Sequence, residues 1–346
     1  MIRFNNDYNH GAHNAIIQAI GEINTESYAG YGEDEWCQKG ADEIRKYLGG
    51  ADVDIHFMVG GTPANITVMT AALRPYESVI CAENGHINHH EAGSIEHTGH
   101  KILSVPAKEG KLTAEAVRET AAHYYDHGQV EFLTAPKIVF LSSPSEYGTI
   151  YSKKELLEIR KVCDQYNMYL YVDGARLGYW LSCSACDVTL EDLARIADVF
   201  YIGGTKCGAL FGEALVIVNE ELKKDFRYMI KQRGGLLAKG RLLGIQFLGL
   251  FENENFEKAA KHANNMAGKL QNAFIQKKIP LFISTTTNQI FPILTNIQMD
   301  ILSKKYAFQI WEKLDNEHTA VRFVTSWATK EEAVEECIQD ILRLEA

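Results

Sequence analysis

Val199-Phe200-Tyr201-Ile202-Gly203-Gly204-Thr205-Lys206-Cys207-Gly208 reads as a short apolar strand running into a glycine-flanked turn that carries a lysine. Upstream, a second apolar run, Met168-Tyr169-Leu170-Tyr171-Val172, ends in Asp173-Gly174-Ala175-Arg176. An acid at one strand end and a lysine in the turn after a later strand are what pyridoxal phosphate (PLP) chemistry needs. The lysine amine forms a Schiff base, and the carboxylate keeps the pyridine nitrogen protonated so that the ring accepts electrons.

Working outward, strand-like runs at 55–59, 78–81, 101–105, 137–142, 168–172, 199–202 and 214–218 alternate with helical patterns at 63–73, 113–127 and 153–166. Such alternation specifies an α/β fold with a mainly parallel sheet covered by helices on both faces. Past residue 219 the pattern changes to two or three helices through Lys277. Strand-like runs at 289–294 and 320–325 and an amphipathic helix over 330–344 then suggest a small α+β domain. The expected division is an N-terminal arm and linker helix over 1–30, a large domain over 31–245 and a small C-terminal domain over 246–346. The arm, without a strong strand, is expected to lie on another surface, such as a second subunit.

The chain has 346 residues, 46% of them hydrophobic and 23% charged, which is ordinary for a globular enzyme. A net charge of −10 with scattered Lys and Arg excludes the clustered basic footprint of a nucleic-acid surface. No apolar run is long enough to span a bilayer, and the N-terminus lacks a signal pattern. Seven cysteines, an odd number, do not read as a disulfide framework, and Cys183-Ser184-Ala185-Cys186 reads as two reduced thiols. The expected compartment is the cytoplasm.

A phosphate needs a cradle. The run 55–59 leads into Gly60-Gly61-Thr62-Pro63-Ala64-Asn65, where glycines allow close approach and a helix N-terminus offers free N–H groups. Gly85-His86-Ile87-Asn88-His89-His90-Glu91 lacks metal-site spacing, so no metal is expected. One of its histidines suits ring stacking and proton transfer instead. Two arginines suit an anionic substrate: Arg176 just past a strand end, and Arg322 inside the apolar run Ala320-Val321-Arg322-Phe323-Val324. For Arg322 a structural salt bridge is the alternative.

Together these pieces resemble the low-specificity L-threonine aldolases, within the β-eliminating lyases of the fold-type-I PLP enzymes. The resemblance runs from Asn6-Asp7 to Val321-Arg322. It is carried by Val172-Asp173-Gly174-Ala175-Arg176, Lys206, Gly61-Thr62-Pro63-Ala64-Asn65, His86 with Glu91, and Tyr31-Gly32-Glu33-Asp34. It implies that Lys206 carries PLP, Asp173 pairs with its ring nitrogen and His86 stacks on the ring. Gly61, Thr62 and Thr205 would hold the phosphate, and Lys231 would reach the site from a neighbouring subunit. Arg176 and Arg322 would hold the substrate carboxylate, and Tyr31 would line the site across a dimer interface. Family members are dimers or tetramers with shared sites.

Two positions depart from the pattern. Asn6, carried over as a substrate-binding position, stands where the family usually has serine. Glu146-Tyr147-Gly148 stands where many aldolases have His-Asn-Gly, which leaves Glu146, His86 or an ordered water as base for the substrate hydroxyl. The expected activity is cleavage of a β-hydroxy-α-amino acid to glycine and an aldehyde. β-Elimination or transamination on the same scaffold is the alternative. A non-catalytic binding protein would have lost the lysine or the acid, and both are present.

Overall fold

The computed structural model describes residues 1–345. Seven strands form the main sheet: β1 (Asp54–Met58), β2 (Glu77–Ala82), β3 (Lys101–Val105), β4 (Ala135–Ser142), β5 (Tyr169–Asp173), β6 (Val199–Gly203) and β7 (Glu213–Ile217). Their order is β1-β7-β6-β5-β4-β2-β3, and only β7 runs against its neighbours. All seven correspond to runs legible in the sequence. Their two-fold alternation sends Val139, Leu170, Val172, Phe200, Ile202 and Val216 to one apolar core. Ile138, Phe140, Tyr171, Tyr201, Leu215 and Ile217 enter the core on the other face. Each fully buried aliphatic side chain contributes about 1.5–3 kcal/mol, so continuous apolar strands are stable only between two helical layers.

The helices begin where sequence chemistry lets them. Ser152 and Glu155 form a reciprocal capping box at the start of the helix Lys153–Gln165. Helix α1 (Gly61–Ala72) starts two residues after β1 with glycine at its cap. Between residues 219 and 277 four α-helices appear rather than two or three. The last two are α2 (Arg241–Phe251) and α3 (Asn255–Gln276). Residues 245 and 246 lie inside α2, whose Phe247, Leu250 and Phe251 belong to the first core. In α3, Phe256, Ala260 and Ala263 face that same core, while Met266, Leu270 and Phe274 enter a third core.

That third core lies under a four-stranded antiparallel sheet of β8 (Leu281–Ile283), β9 (Gln289–Thr295), β10 (Gln309–Lys313) and β11 (His318–Val324), in the order β10-β11-β9-β8. Helix α4 (Glu331–Arg343) adds Val334, Cys337 and Ile341 to it. The N-terminal arm corrects one expectation, because it lies on its own chain. Ile2–Arg3 pairs in parallel with Tyr306–Ala307, the Val324 N–H donates to the Phe4 carbonyl, and the Phe4 ring is buried in the third core. Further along, Ile16 is buried in the first core. All seven cysteines are free thiols, and among the described residues no helix is long and apolar enough to cross a membrane.

Candidate active site

Strands β5 and β6 end side by side, and the site is built on their ends. Asp173 closes β5 at 4% exposure, and its Oδ1 accepts from the Tyr201 hydroxyl and, at 3.0 Å, from the Ala175 N–H. Burial raises its pKa, against the pull of His86, of these two hydrogen bonds and of Lys206. Such a carboxyl favours a cationic or N–H partner, which is what a protonated ring nitrogen offers. The following glycine is obligatory, since a Cβ on Gly174 would lie 2.0 Å from the Tyr201 carbonyl oxygen.

After β6 the chain folds back on itself. The Gly204 and Thr205 N–H groups both reach the Gly212 carbonyl at 3.1 Å, and a Cβ on Gly204 would meet that oxygen at 2.7 Å. Tyr179 donates its hydroxyl to the Lys206 carbonyl, which fixes the backbone of the lysine. Burial and the Arg176 guanidinium push the Lys206 amine below its ordinary pKa, with Asp7, Glu146 and Asp173 opposing. A depressed amine supplies more of its nucleophilic form at neutral pH.

The glycine turn before α1 is open at its helix end. Gly60 caps α1 without any side-chain hydrogen bond. A Cβ on Gly61 would sit 2.8 Å from the Tyr201 hydroxyl, the same group that bonds Asp173. Thr62 and Pro63 occupy the first turn. An uncapped helix N-terminus beside this acid–lysine pair fits an anionic phosphate.

His86 is held from behind by a buried chain of hydrogen bonds. Its Nδ1 lies 2.7 Å from Glu91 Oε1, which also accepts from Asn65 Nδ2 at 2.7 Å, and Ser94 donates to the other Glu91 oxygen at 2.8 Å. Asn65 Oδ1 accepts in turn from the Tyr171 hydroxyl at 2.8 Å. Burial alone would lower the imidazole pKa. The Glu91 bond and the carboxylates of Glu146 and Asp173 outweigh it, and the net shift is upward. The His90 ring stands 5.6 Å from that of His86, and burial lowers its pKa.

The two arginines differ in their partners. Arg176 is paired with Asp7, Nε to Oδ2 at 2.7 Å and Nη2 to Oδ1 at 3.1 Å, and Asn288 donates to the same carboxylate at 2.9 Å. Burial would raise the Asp7 carboxyl, and Arg176 outweighs it. Arg322, 8% exposed, meets amides instead: Nη1 reaches Gln289 Oε1 at 2.8 Å, Nη2 reaches Gln309 Oε1, and the guanidinium carbon lies 5.0 Å from the Trp311 ring centroid. Its Nε is buried without a partner. Burial and nearby Arg176 lower its pKa to about 10. Arg322 is therefore the cation with charge to spare for a carboxylate.

Stranding one member of a buried ion pair costs about 3–5 kcal/mol. Arg176→Ala should accordingly destabilise the protein more than Arg322→Ala. Urea unfolding of both variants checks this, and the reverse order would show that Arg322 is the structural cation.

Glu146 is buried at the same centre. Burial would raise its carboxyl pKa, and His86, then Arg176 and Lys206, bring it below the ordinary value, so it is ionised at neutral pH. Asn6 turns its side chain back on the arm, with Oδ1 accepting from the Tyr8 N–H at 3.0 Å. The Thr205 hydroxyl lies 2.9 Å from Glu213 Oε1. Tyr31 and Lys231 stand together, the ammonium 4.5 Å from the ring centroid. Tyr31 lines a groove with Asp34, Arg227 and Leu237, a groove that Lys206, Asp173 and His86 do not line.

Sequence reasoning placed Lys206, Asp173, His86, Glu146, Arg176 and Arg322 in one site, and their charges do act on one another there. It gave no role to Asp7, Asn65, Tyr171, Tyr201 or Glu213. The one available signal was Glu213, an acid at the head of the apolar run 214–218.

A helix-flanked sheet with an acid and a lysine on adjacent strand ends is the arrangement of fold-type-I PLP enzymes. The aspartate aminotransferase of Thermus thermophilus shares that fold, with a TM-score of 0.73 at 15% identity over 99% of this chain and 91% of that one. A family model described as beta-eliminating lyase matches residues 7–296, and the chain belongs to that family. The low-specificity L-threonine aldolase of a Pseudomonas species is 32% identical over 90% of this chain and 88% of its own length. The Pseudomonas aeruginosa protein of the same name is 32% identical over 93% and 92%. The solved threonine aldolase of Leishmania major superimposes with a TM-score of 0.97 at 40% identity, covering 100% of both chains.

Proposed function

We propose that the protein is a PLP-dependent carbon–carbon lyase that cleaves a β-hydroxy-α-amino acid, L-threonine or L-allo-threonine, to glycine and an aldehyde. The observation that carries this reading is one centre that joins a depressed lysine, a buried acid, an ionised Glu146 and a cation held only by amides. The names of the relatives at 32% and 40% identity support the same reaction.

When bound, PLP supplies an aldehyde that captures amines and a ring that takes up electrons released at the substrate Cα. Lys206 would be its attachment point. Asp173 would pair with its ring nitrogen, His86 would stack on its ring, and Gly61, Thr62 and Thr205 would hold its phosphate. Arg322 takes the substrate carboxylate and so orients the Cα–Cβ bond. Arg176 shapes that pocket through Asp7, and Asn6 lies on the arm that carries Asp7. Glu146 accepts the β-hydroxyl proton as the Cα–Cβ bond breaks, the oxygen becomes the aldehyde carbonyl, and Cα regains a proton to give glycine.

The test is product identity with L-threonine and L-allo-threonine. Glycine with acetaldehyde is expected. A keto acid with ammonia would mean β-elimination, and a keto acid formed only with an added acceptor would mean transamination. Glu146→Gln should lower kcat by about 10²–10⁴, the range for general acid–base catalysis, with KM little changed. An unaltered kcat would move the base to His86 or to water.

We also propose a homodimer or homotetramer in which Tyr31 and Lys231 complete the site of a second copy; Tyr31, with Lys231 against its ring, lining a groove that Lys206, Asp173 and His86 do not line supports this. We propose that the division between large and small domains falls inside α3 rather than at residues 245/246, since its first half faces the first core and its second half the third. A cytoplasmic location agrees with seven free thiols.

A further inference from the structure

Glu213 is a buried acid to which the reading above gives no work. It opens β7 at 5% exposure, in register with Met58 at the end of β1 and Gly203 at the end of β6. It therefore sits between the strand that leads to Gly60-Gly61 and the strand that leads to Lys206. Its Oε2 accepts from the Gly204 N–H at 2.9 Å and its Oε1 meets the Thr205 hydroxyl at 2.9 Å, while the Gly212 N–H donates to that hydroxyl oxygen at 2.9 Å.

A hydroxyl has one proton to donate and two lone pairs to accept with. With Glu213 ionised, the single Thr205 proton is committed to Oε1. With Glu213 protonated, Oε1 becomes the donor, Thr205 Oγ accepts from both Glu213 and Gly212, and the threonine proton is released from the carboxylate, with only the long 3.4 Å contact to the Gly212 carbonyl competing for it. We propose that Glu213 is a positioning residue that works as a neutral acid: it turns the Thr205 hydroxyl outward to donate to the phosphate held at the N-terminus of α1, so that phosphate binding and protonation of Glu213 are linked. This rests on the PLP assignment above.

The surroundings favour the neutral form. Burial pushes the Glu213 carboxyl up to about 8, against the Thr205 bond, Lys206 and the Gly204 N–H, and Asp173 adds to the rise. The titratable groups around it are Lys206, Cys207 and Tyr201 from β6 and its turn, and Asp173 and Tyr171 from β5. Toward β1 and α2 the turn meets Met58, Leu243 and Phe247, which do not titrate. An ionised carboxylate next to a phosphate dianion would repel it, so one proton couples to binding.

The experiment measures how tightly the apoprotein binds pyridoxal 5'-phosphate and pyridoxal as pH is raised. The ratio of the two affinities cancels the titration of Lys206 and of the aldehyde, and above pH 7 the phosphate itself is nearly all dianion (second pKa about 6). In the wild type the ratio should hold at neutral pH and fall by about tenfold per pH unit above the Glu213 pKa. In Glu213→Gln it should stay flat. Thr205→Val removes the hydroxyl without touching the acid, and it should lower the ratio at neutral pH and flatten its pH dependence.

If Glu213→Gln does not fold, the wild-type profile and Thr205→Val decide alone. A flat wild-type ratio, the same fall in Glu213→Gln, or an unchanged ratio in Thr205→Val overturns the proposal and leaves the PLP reading standing. Failure of the apoprotein to bind either vitamer at any pH overturns both.

Discussion

Lys206→Ala should lose covalent cofactor capture and lower lyase turnover by at least about 10³-fold, the scale of removing a covalent catalyst while binding groups remain. The fold should survive. The turn around Lys206 is closed by backbone bonds to Gly204 and Gly212, and Tyr179 bonds the Lys206 carbonyl rather than its amine. Asp7 keeps its ion pair with Arg176, and Glu146 and Asp173 lose only the longer-range field of the amine, which burial already depresses. The measurement is borohydride reduction of the loaded protein followed by peptide mapping. The wild type should carry the label on the peptide containing Lys206, and the variant should carry none. A label that persists on Lys231, or turnover within tenfold of wild type, would mean that another amine does this work.

The large sheet was legible in the sequence because its inner strands are buried on both faces and read as continuous apolar runs. The small sheet was legible only where it is central. β9 and β11 were visible, whereas β10, with Gln309, Ile310, Glu312 and Lys313 exposed, has the mixed polarity of an edge strand. β8 is three residues long and was not visible at all. The arm carried no strand signal because Ile2–Arg3 is held by backbone bonds to a segment more than three hundred residues away, and buried residues such as Phe4, Asp7 and Ile16 are too widely spaced to make the alternating pattern of a strand.

The site divides in the same way. Lys206, Asp173 and Gly61 announce themselves because each needs a set place at a strand end, and local sequence encodes strand ends. Partnerships do not announce themselves. That Arg176 is satisfied by Asp7 while Arg322 is met by amides depends on which segments converge in three dimensions, as Asp7 and Arg176 do across 169 positions. The same holds for the Tyr171–Asn65–Glu91–His86 chain, which joins three separate elements through buried side chains.

Asp173→Asn separates function from folding most sharply. Asparagine keeps an oxygen where Oδ1 accepts from Tyr201 and Ala175, so both hydrogen bonds survive the change. What is lost is negative charge, and with it the ability to hold a ring nitrogen protonated. Preorganised charge of this kind is worth about 10²–10³ in kcat per group. A fall of that size is expected, with a shift of the bound cofactor's visible absorption as a second readout.

Stability should move the other way. Because burial raises the Asp173 pKa in the folded protein, the folded state holds its proton to higher pH than the unfolded chain does. As pH rises through the unfolded and then the folded pKa, the wild-type apoprotein progressively loses stability from this group. Asparagine does not titrate, so the variant apoprotein should unfold at a urea concentration equal to or above that of wild type, with its advantage vanishing in acid. A variant that is inactive and also clearly less stable at neutral pH would make Asp173 a structural residue. A variant of full activity would show that the electron-poor ring is not maintained from this strand end.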